Sequence, residues 1–295
     1  MPTLLRSDTL LAWRHQQLED GGNPGDLDWL LDLAGGVRWT LLQQLRLRPD
    51  QSVTLRCSLQ ELEALWTRHR LHHTPLQYLV GICPWRDLEL QVGPGVLIPR
   101  QETELLVELA LERALAMENA PASHWADLGT GSGCLAVAMA RALPNSRGYA
   151  VDASAAALKQ AAINLERHHL SDQVSLHHGS WWEPLQAQWG KLHLVLSNPP
   201  YIPTAVWRNL EPVVRNHEPS LALDGGGDGL DAIRTIAGDA RQALAPGGWL
   251  LMEHHHDQSQ AVGQLLTQAG LINIQNHADL EGKLRFASAQ RASHV

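Results

Sequence analysis

The chain has 295 residues, enough to bury one large core or two smaller ones. Its formal net charge of −8, from 23 Lys plus Arg against 31 Asp plus Glu, argues against a protein whose main business is gripping a nucleic-acid backbone. No apolar run approaches the roughly 18 residues of a spanning helix, acidic and polar residues come too early for a secretory signal, and the three cysteines, Cys57, Cys83 and Cys134, are too scattered for a disulfide framework or a four-thiolate zinc site.

The first eighty or so residues read as helices. "LLRSDTLLAWRHQQLED" places Leu4, Leu5, Leu10, Leu11, Trp13 and Leu18 at helical spacing before Gly21-Gly22. "DLDWLLDLAGG" is a second short helix. In "SLQELEALWTRHRLHH", Ser58 and Glu61 form a capping-box pattern, and Leu59, Leu62, Leu65 and Trp66 make one apolar face. Thr74-Pro75 ends that run. Residues 1–77 are therefore expected to form a helical domain. Residues 78–99, "YLVGICPWRDLELQVGPGVLIP", alternate between glycine and proline breaks and read as a strand-rich connector containing a hairpin.

From residue 100 to 295 a second domain is expected. "ETELLVELALERALA" is an amphipathic helix. Strand, turn and helix then repeat: the strands are "HWADL", "RGYAVD", "QVSLHH", "LHLVLS", "WLLMEH", "LINIQNH" and "LRFASAQ". A helix runs from Ser154 to about His169, and another, "GLDAIRTIAGDARQAL", is ended by Pro246-Gly247-Gly248. Such alternation predicts an α/β fold with a mostly parallel, seven-stranded sheet covered on both faces.

Three stretches carry chemistry. In "ADLGTGSGCLAVA", Gly129, Gly131 and Gly133 stand between a strand and a helix, where glycine lets the chain turn tightly and a ligand approach the backbone. The spacing is G-x-G-x-G, not the G-x-G-x-x-G that accompanies a pyrophosphate. It resembles the loop of methyltransferases that use S-adenosylmethionine, and the helix start after it favours a ligand carboxylate. Asp152, at the tip of the next strand, is placed to accept both hydroxyl protons of a ribose; Ser154 is equally able to cap the helix after it.

The third stretch is "LHLVLSNPPYIP". A buried strand stops at two prolines, which continue neither a helix nor a central strand. The side-chain oxygen of Asn198 and the carbonyl of Pro199 are two acceptors side by side. Pro200 has no N–H to compete for them, and Tyr201 can lie against a planar face. Together they suit a planar –NH2 group, an amide or a base amine, aimed at an electrophile.

With these motifs, "TPLQYLVG", "GVLIPRQETELLVE", "ADLGTGSGCLAVAMA", "SNPPYIP" and "EPSLALDGGGDGLDAIRTI" follow one another, and from about Thr74 to Arg285 the chain resembles the HemK family of protein-(glutamine-N5) methyltransferases. That resemblance implies a Rossmann-like methyltransferase sheet with a small N-terminal helical domain and a β-hairpin connector. It implies methyl transfer from S-adenosyl-L-methionine, leaving S-adenosyl-L-homocysteine, to the glutamine of the Gly-Gly-Gln loop of peptide chain release factors. Gly129, Thr130, Gly131, Ser132, Gly133, Asp152, Trp181 and Asn198 would hold the methyl donor, with Trp181 against the adenine. Asn198, Pro199, Pro200 and Tyr201 would hold the glutamine amide, with Asn198, Pro199 and Tyr201 as the catalytic residues. The helical domain would dock the body of the factor. A cytoplasmic monomer with no metal, no membrane association and no direct nucleic-acid substrate is expected. Two departures stand out: Gln101 where the family usually has proline, and Glu253-His254-His255-His256-Asp257-Gln258 where it usually has glycine and apolar residues after the glutamate.

Two other readings compete. One is a nucleic-acid exocyclic-amine methyltransferase using the same clamp, which would need a basic groove or a target-reading domain. The other is a binding protein with a dead methyltransferase fold, against which the intact glycines, Asp152 and Asn198 argue. The His254–His256 run does not suit one metal ion, because neighbouring residues on a strand point to opposite faces.

Overall fold

The computed structural model describes residues 2–48, 50–117 and 124–293. The chain divides into two compact units, Met1–Gly81 and Ile82–Val295.

The first unit contains β1 (Thr3–Arg6), α1 (Ser7–Glu19), α2 (Pro24–Leu33), α3 (Trp39–Leu47), β2 (Ser52–Leu55), α4 (Leu59–His72) and α5 (Leu76–Val80). Its core gathers Leu10, Leu27, Leu30, Leu31, Leu42, Leu45, Leu62 and Trp66. The capping box at the start of α4 forms: the Ser58 N–H donates to Glu61 Oε2 at 2.6 Å, and the Glu61 N–H to Ser58 Oγ at 3.2 Å. One feature differs from the sequence pattern. Leu4 and Leu5 do not belong to the first helix but to β1, which pairs antiparallel with β2, Thr3 opposite Leu55 and Arg6 opposite Ser52. Four residues are too few for a period-two pattern to stand out from a helical one.

The second unit begins with a hairpin, β3 (Ile82–Trp85) and β4 (Leu88–Gln91), followed by α6 (Glu104–Leu115). Then come β5 (His124–Leu128), α7 (Cys134–Ala142), β6 (Arg147–Asp152), α8 (Ala155–Arg167), β7 (Val174–His178) and β8 (Leu192–Ser197). Two short turns of helix, α9 (Thr204–Trp207) and α10 (Pro212–Arg215), precede α11 (Asp231–Ala243), β9 (Leu244–Glu253), α12 (Ser259–Gln268), β10 (Ile272–Ala278) and β11 (Leu284–Gln290). The strands form one seven-stranded sheet in the order β10-β11-β9-β8-β5-β6-β7. β11 runs antiparallel to both neighbours, and the pairs from β9 to β7 are parallel.

Strand alternation divides the apolar residues between two faces. Trp125, Ala150, Leu194 and Leu196 enter the layer packed with α6 and α7; Ala126, Val151 and Val195 enter the layer packed with α11. Burying each large apolar side chain stabilises the fold by about 1.5–3 kcal/mol, so both faces are strongly specified. Pro246-Gly247-Gly248 does not merely end α11. β9 starts at Leu244, and these residues lie within it as an irregularity: the pairing with β8 jumps from Leu192–Leu244 to Leu194–Trp249, with Gly247 at φ 77°. A strand tolerates proline at such an irregularity.

The sheet order places the site. From β5 the chain winds outward through β6 and β7, then crosses back to lay β8 on the other side of β5. The loops after β5 and β8 therefore diverge from adjacent strand ends, the crevice in which open α/β sheets bind ligands.

Candidate active site

Leu128 and Ser197 are the last paired residues of β5 and β8, and the Ser197 hydroxyl donates to the Leu128 carbonyl at 2.6 Å. The glycine loop and the Asn198 loop leave from this point. Gly129, Gly131 and Gly133 have φ of 78°, 56° and 82°, the left-handed region that favours glycine. The N–H groups of Gly129 and Thr130 both donate to the Val151 carbonyl at 2.9 Å, and the Asn164 amide on α8 donates to the Ser132 carbonyl at 2.8 Å.

Asp152 ends β6. Its Oδ2 accepts from the Gly131 N–H and its Oδ1 from the Ser154 N–H, each at 2.8 Å. Burial raises its pKa, and these two donors partly offset that. Ser154, not Asp152, caps α8, its Oγ accepting from the Ala157 N–H at 3.3 Å. Each carboxylate oxygen has two lone pairs, so Asp152 retains acceptor capacity toward the cavity it lines.

One cavity is lined by Gly129, Gly131, Asp152, Trp181, Asn198 and Pro200, among others. A Cβ on Gly129 would stand 3.2 Å from the Trp181 ring, so the absent side chain leaves that space free. Thr130 and Ser132 line a smaller recess beside Asn198 and Thr103. Gly133 lines neither: a Cβ there would stand 3.0 Å from that of Ala161, so its place is the packing of the loop on α8. Pro199 is buried and Tyr201 packs partly into the core below. The lining thus combines a carboxylate and an indole over a glycine-floored cavity, chemistry that suits a ligand carrying a diol and a planar base.

Around Asn198 the amide and carboxyl groups form a chain. Asn198 Nδ2 donates to Thr103 Oγ1 at 3.0 Å, Thr103 donates to Glu253 Oε2 at 2.7 Å, and the Tyr201 hydroxyl donates to Glu253 Oε1 at 3.0 Å. Neither Asn198 Oδ1 nor the Pro199 carbonyl receives a hydrogen bond from a described residue. Burial pushes Glu253 up to about 7, opposed by the Thr103 and Tyr201 hydroxyls. Burial and the neighbouring Glu253 raise Tyr201.

Behind the loop, the Gln258 amide donates to the Tyr201 carbonyl at 3.0 Å, and its Oε1 accepts from the His255 N–H at 2.9 Å. The unusual His254–Gln258 segment thus braces the loop from below. His254 is buried with its pKa lowered by that burial, while His255 pairs with Asp257. Gly229 packs on the same carbonyl. We expect Gly229→Ala to destabilise the protein by about 2 kcal/mol or more, read as a lower urea midpoint. Its φ is +78°, and the added Cβ would stand 2.3 Å from the Tyr201 oxygen and 2.6 Å from Gln258 Nε2. An unchanged midpoint would count against this packing.

Thr103, Asp127 and Asn164 are not singled out by the sequence motifs, and each holds the site in place. Asp127 is fully buried; Thr130 donates to its Oδ2 at 2.7 Å, and its Oδ1 lacks a hydrogen bond of normal geometry. Burial lifts its pKa from 3.8 to about 7, with Thr130 opposing. The folded chain therefore holds this proton where the unfolded chain has released it. The resulting stability is full below the unfolded value and is lost as pH rises through about 7. In Asp127→Asn, neutral throughout, that loss is absent: wild-type minus variant melting temperature of the ligand-free protein should fall between about pH 4 and pH 7. A difference that does not vary with pH would contradict this assignment. An acid two residues before the first loop glycine was a legible signal for Asp127. Thr103 and Asn164 offered none.

Comparison with known proteins adds three findings. Residues 103–210 match the model of the family described as methyltransferase small domain. The chain is 48% identical over 287 residues to a release factor glutamine methyltransferase of Prochlorococcus marinus, covering 97% of each chain. It is 39% identical to one of Synechocystis, covering 95% of this chain and 94% of the relative. Among solved structures, the hMettl16 catalytic domain in complex with a MAT2A 3′UTR hairpin superposes with a TM-score of 0.55 at 11% identity, over 83% of this chain and 86% of that one, a likeness of fold alone.

Proposed function

Since the chain belongs to the release factor glutamine methyltransferases, we propose that it methylates the side-chain amide nitrogen of the glutamine in the Gly-Gly-Gln loop of a peptide chain release factor, using S-adenosyl-L-methionine. The observation that carries the reading is a pair of acceptors with no donor among the described residues: Asn198 Oδ1, on a residue that borders the glycine-floored cavity, and the carbonyl of Pro199 next to it in the chain. Two acceptors match the two N–H bonds of a primary amide.

When bound, the methyl donor supplies an electrophilic carbon attached to a sulfonium sulfur. Gly129, Gly131, Asp152 and Trp181 would hold it. An amide nitrogen is a weak nucleophile because its lone pair is delocalised. Asn198 and the Pro199 carbonyl polarise its N–H bonds and fix its direction, and Tyr201 limits its tilt. As the nitrogen–carbon bond forms the carbon–sulfur bond would break, leaving S-adenosyl-L-homocysteine. No strong base need act first, because the proton on nitrogen becomes acidic once the bond forms and leaves to solvent, so orientation and electrostatics supply most of the rate. We assign docking of the factor's body to the helical residues 1–77, with residues 78–99 as connector and 100–295 as the catalytic domain.

A base amine presents the same –NH2 geometry, but family membership favours the protein amide. The test is incubation with radiolabelled methyl donor and a release factor, and in parallel with a factor whose loop glutamine is replaced. Label confined to the first supports the reading. Equal labelling of both, or label only in added RNA or DNA, overturns it.

A further inference from the structure

The Asn198 side chain and the Tyr201 ring are both held by one buried carboxylate, that of Glu253. β8 and β9 are adjacent and Ser197 pairs with Met252, so Asn198, the first residue past β8, stands beside Glu253, the last residue of β9, which stays in the sheet opposite Phe286. Glu253 accepts from the Tyr201 hydroxyl through one oxygen and from Thr103 through the other, and Thr103 in turn accepts from the Asn198 amide. The direction of this chain follows from its acidic end. Above its raised pKa of about 7, Glu253 is an ionised carboxylate that only accepts, so Thr103 must donate to it. The threonine oxygen then has only lone pairs to offer, which Asn198 can meet only with its NH2. The network, not the shape of the amide, settles which way Asn198 turns.

Thr103 gives up another task to do this. It stands at the N-cap of α6, where threonine ordinarily accepts from the first free helix N–H groups. Its side chain makes no such bond. It is buried, and its hydroxyl is committed to Glu253 and Asn198.

We propose that Thr103 and Glu253 are positioning residues for methyl transfer, turning Asn198 so that Oδ1, not its NH2, faces the substrate amide, while the same carboxylate fixes the Tyr201 ring. This rests on the glutamine-amide reading of the clamp. An asparagine free to flip would often present its NH2 to the NH2 of the substrate, two donors with no acceptor between them. Only the orientation imposed by Thr103 makes every encounter an acceptor meeting a donor.

Thr103→Val keeps the shape of the side chain and removes the hydroxyl; Thr103→Ser keeps the hydroxyl. Two readouts decide, both at about pH 8, above the raised pKa of Glu253. In protein labelled with 15N only at asparagine, the Asn198 amide is identified by its absence from Asn198→Ala. One of its protons should be displaced downfield in wild type and Thr103→Ser, and should lose that displacement in Thr103→Val. In steady-state methylation of a release factor, Thr103→Val should lower kcat about 10- to 100-fold, with KM and methyl-donor Kd changed no more than about threefold and activity restored in Thr103→Ser. An Asn198 amide unchanged by Thr103→Val, or a wild-type kcat in that variant, overturns the proposal. Failure of the wild-type enzyme to label the factor overturns the glutamine reading instead, and the amide resonance still decides the relay.

Discussion

Asn198→Ala should lower kcat for methylation of a release factor by about 10³-fold, while the affinity for S-adenosylmethionine, whose cavity Asn198 also borders, falls by no more than about tenfold. The substitution removes a side-chain acceptor aimed at the amide and leaves the Pro199 carbonyl alone, so the nitrogen loses both polarisation and direction. It does not touch the glycine loop or the hydrogen bonds of Asp152. Asn198→Asp is the sharper variant. It keeps two acceptors yet cannot donate to Thr103, and it sets a second carboxylate close to Glu253. Loss of activity in both variants, with donor binding measured calorimetrically and within that limit, would tie Asn198 to the amide. A kcat within tenfold of wild type in Asn198→Ala would remove it from the catalytic machinery.

Asp152→Ala should raise the Kd for S-adenosylmethionine by about 100-fold. Hydrogen bonds to a charged acceptor contribute about 1.5–3 kcal/mol, and each 1.4 kcal/mol is a factor of ten. The effect has two sources. The ribose hydroxyls would lose their acceptor, and the Gly131 N–H, now held at 2.8 Å, would lose the partner that fixes the loop. Asp152→Asn separates them, because its one carbonyl oxygen can serve the loop or the sugar but not all the donors the carboxylate can hold. A Kd within about threefold of wild type in Asp152→Ala would place the donor elsewhere.

Most of the sheet was legible because its strands are short apolar runs bounded by glycine, and because strand and helix alternate. "HWADL" and "LHLVLS" could hardly be read otherwise. β1 was hidden by its brevity, and its two leucines also fit a helical stripe. Pro246-Gly247-Gly248 reads as a terminator yet forms an irregularity inside β9, since the same residues serve both purposes and only the neighbouring strand decides. The cradle residues Gly129, Gly131, Asp152, Trp181 and Asn198 were visible because each lies at the carboxyl end of a strand or in the loop just past one. Thr103 was not, because its task depends on two partners, Asn198 and Glu253, far along the chain. Glu253 stood out only through the histidine run after it, yet an acid closing a buried strand beside "SNPPY" was a usable signal. Tyr201 is expected against the substrate. The structure adds that its hydroxyl is tethered, which limits how far the ring can swing.

The Thr103–Glu253 hydrogen bond joins residues 150 positions apart, and the Ser197–Leu128 bond joins residues 69 apart. Contacts of such separation carry a high loop-closure cost and tend to form late, once more local structure is in place. The local helices and the β3–β4 hairpin need no such closure, whereas the grip on the amide needs β9 docked on β8. A chain in which β9 had not docked on β8 would lack Glu253 beside Thr103 and Tyr201, and with it the hold on Asn198. Catalytic competence arrives only with the finished sheet.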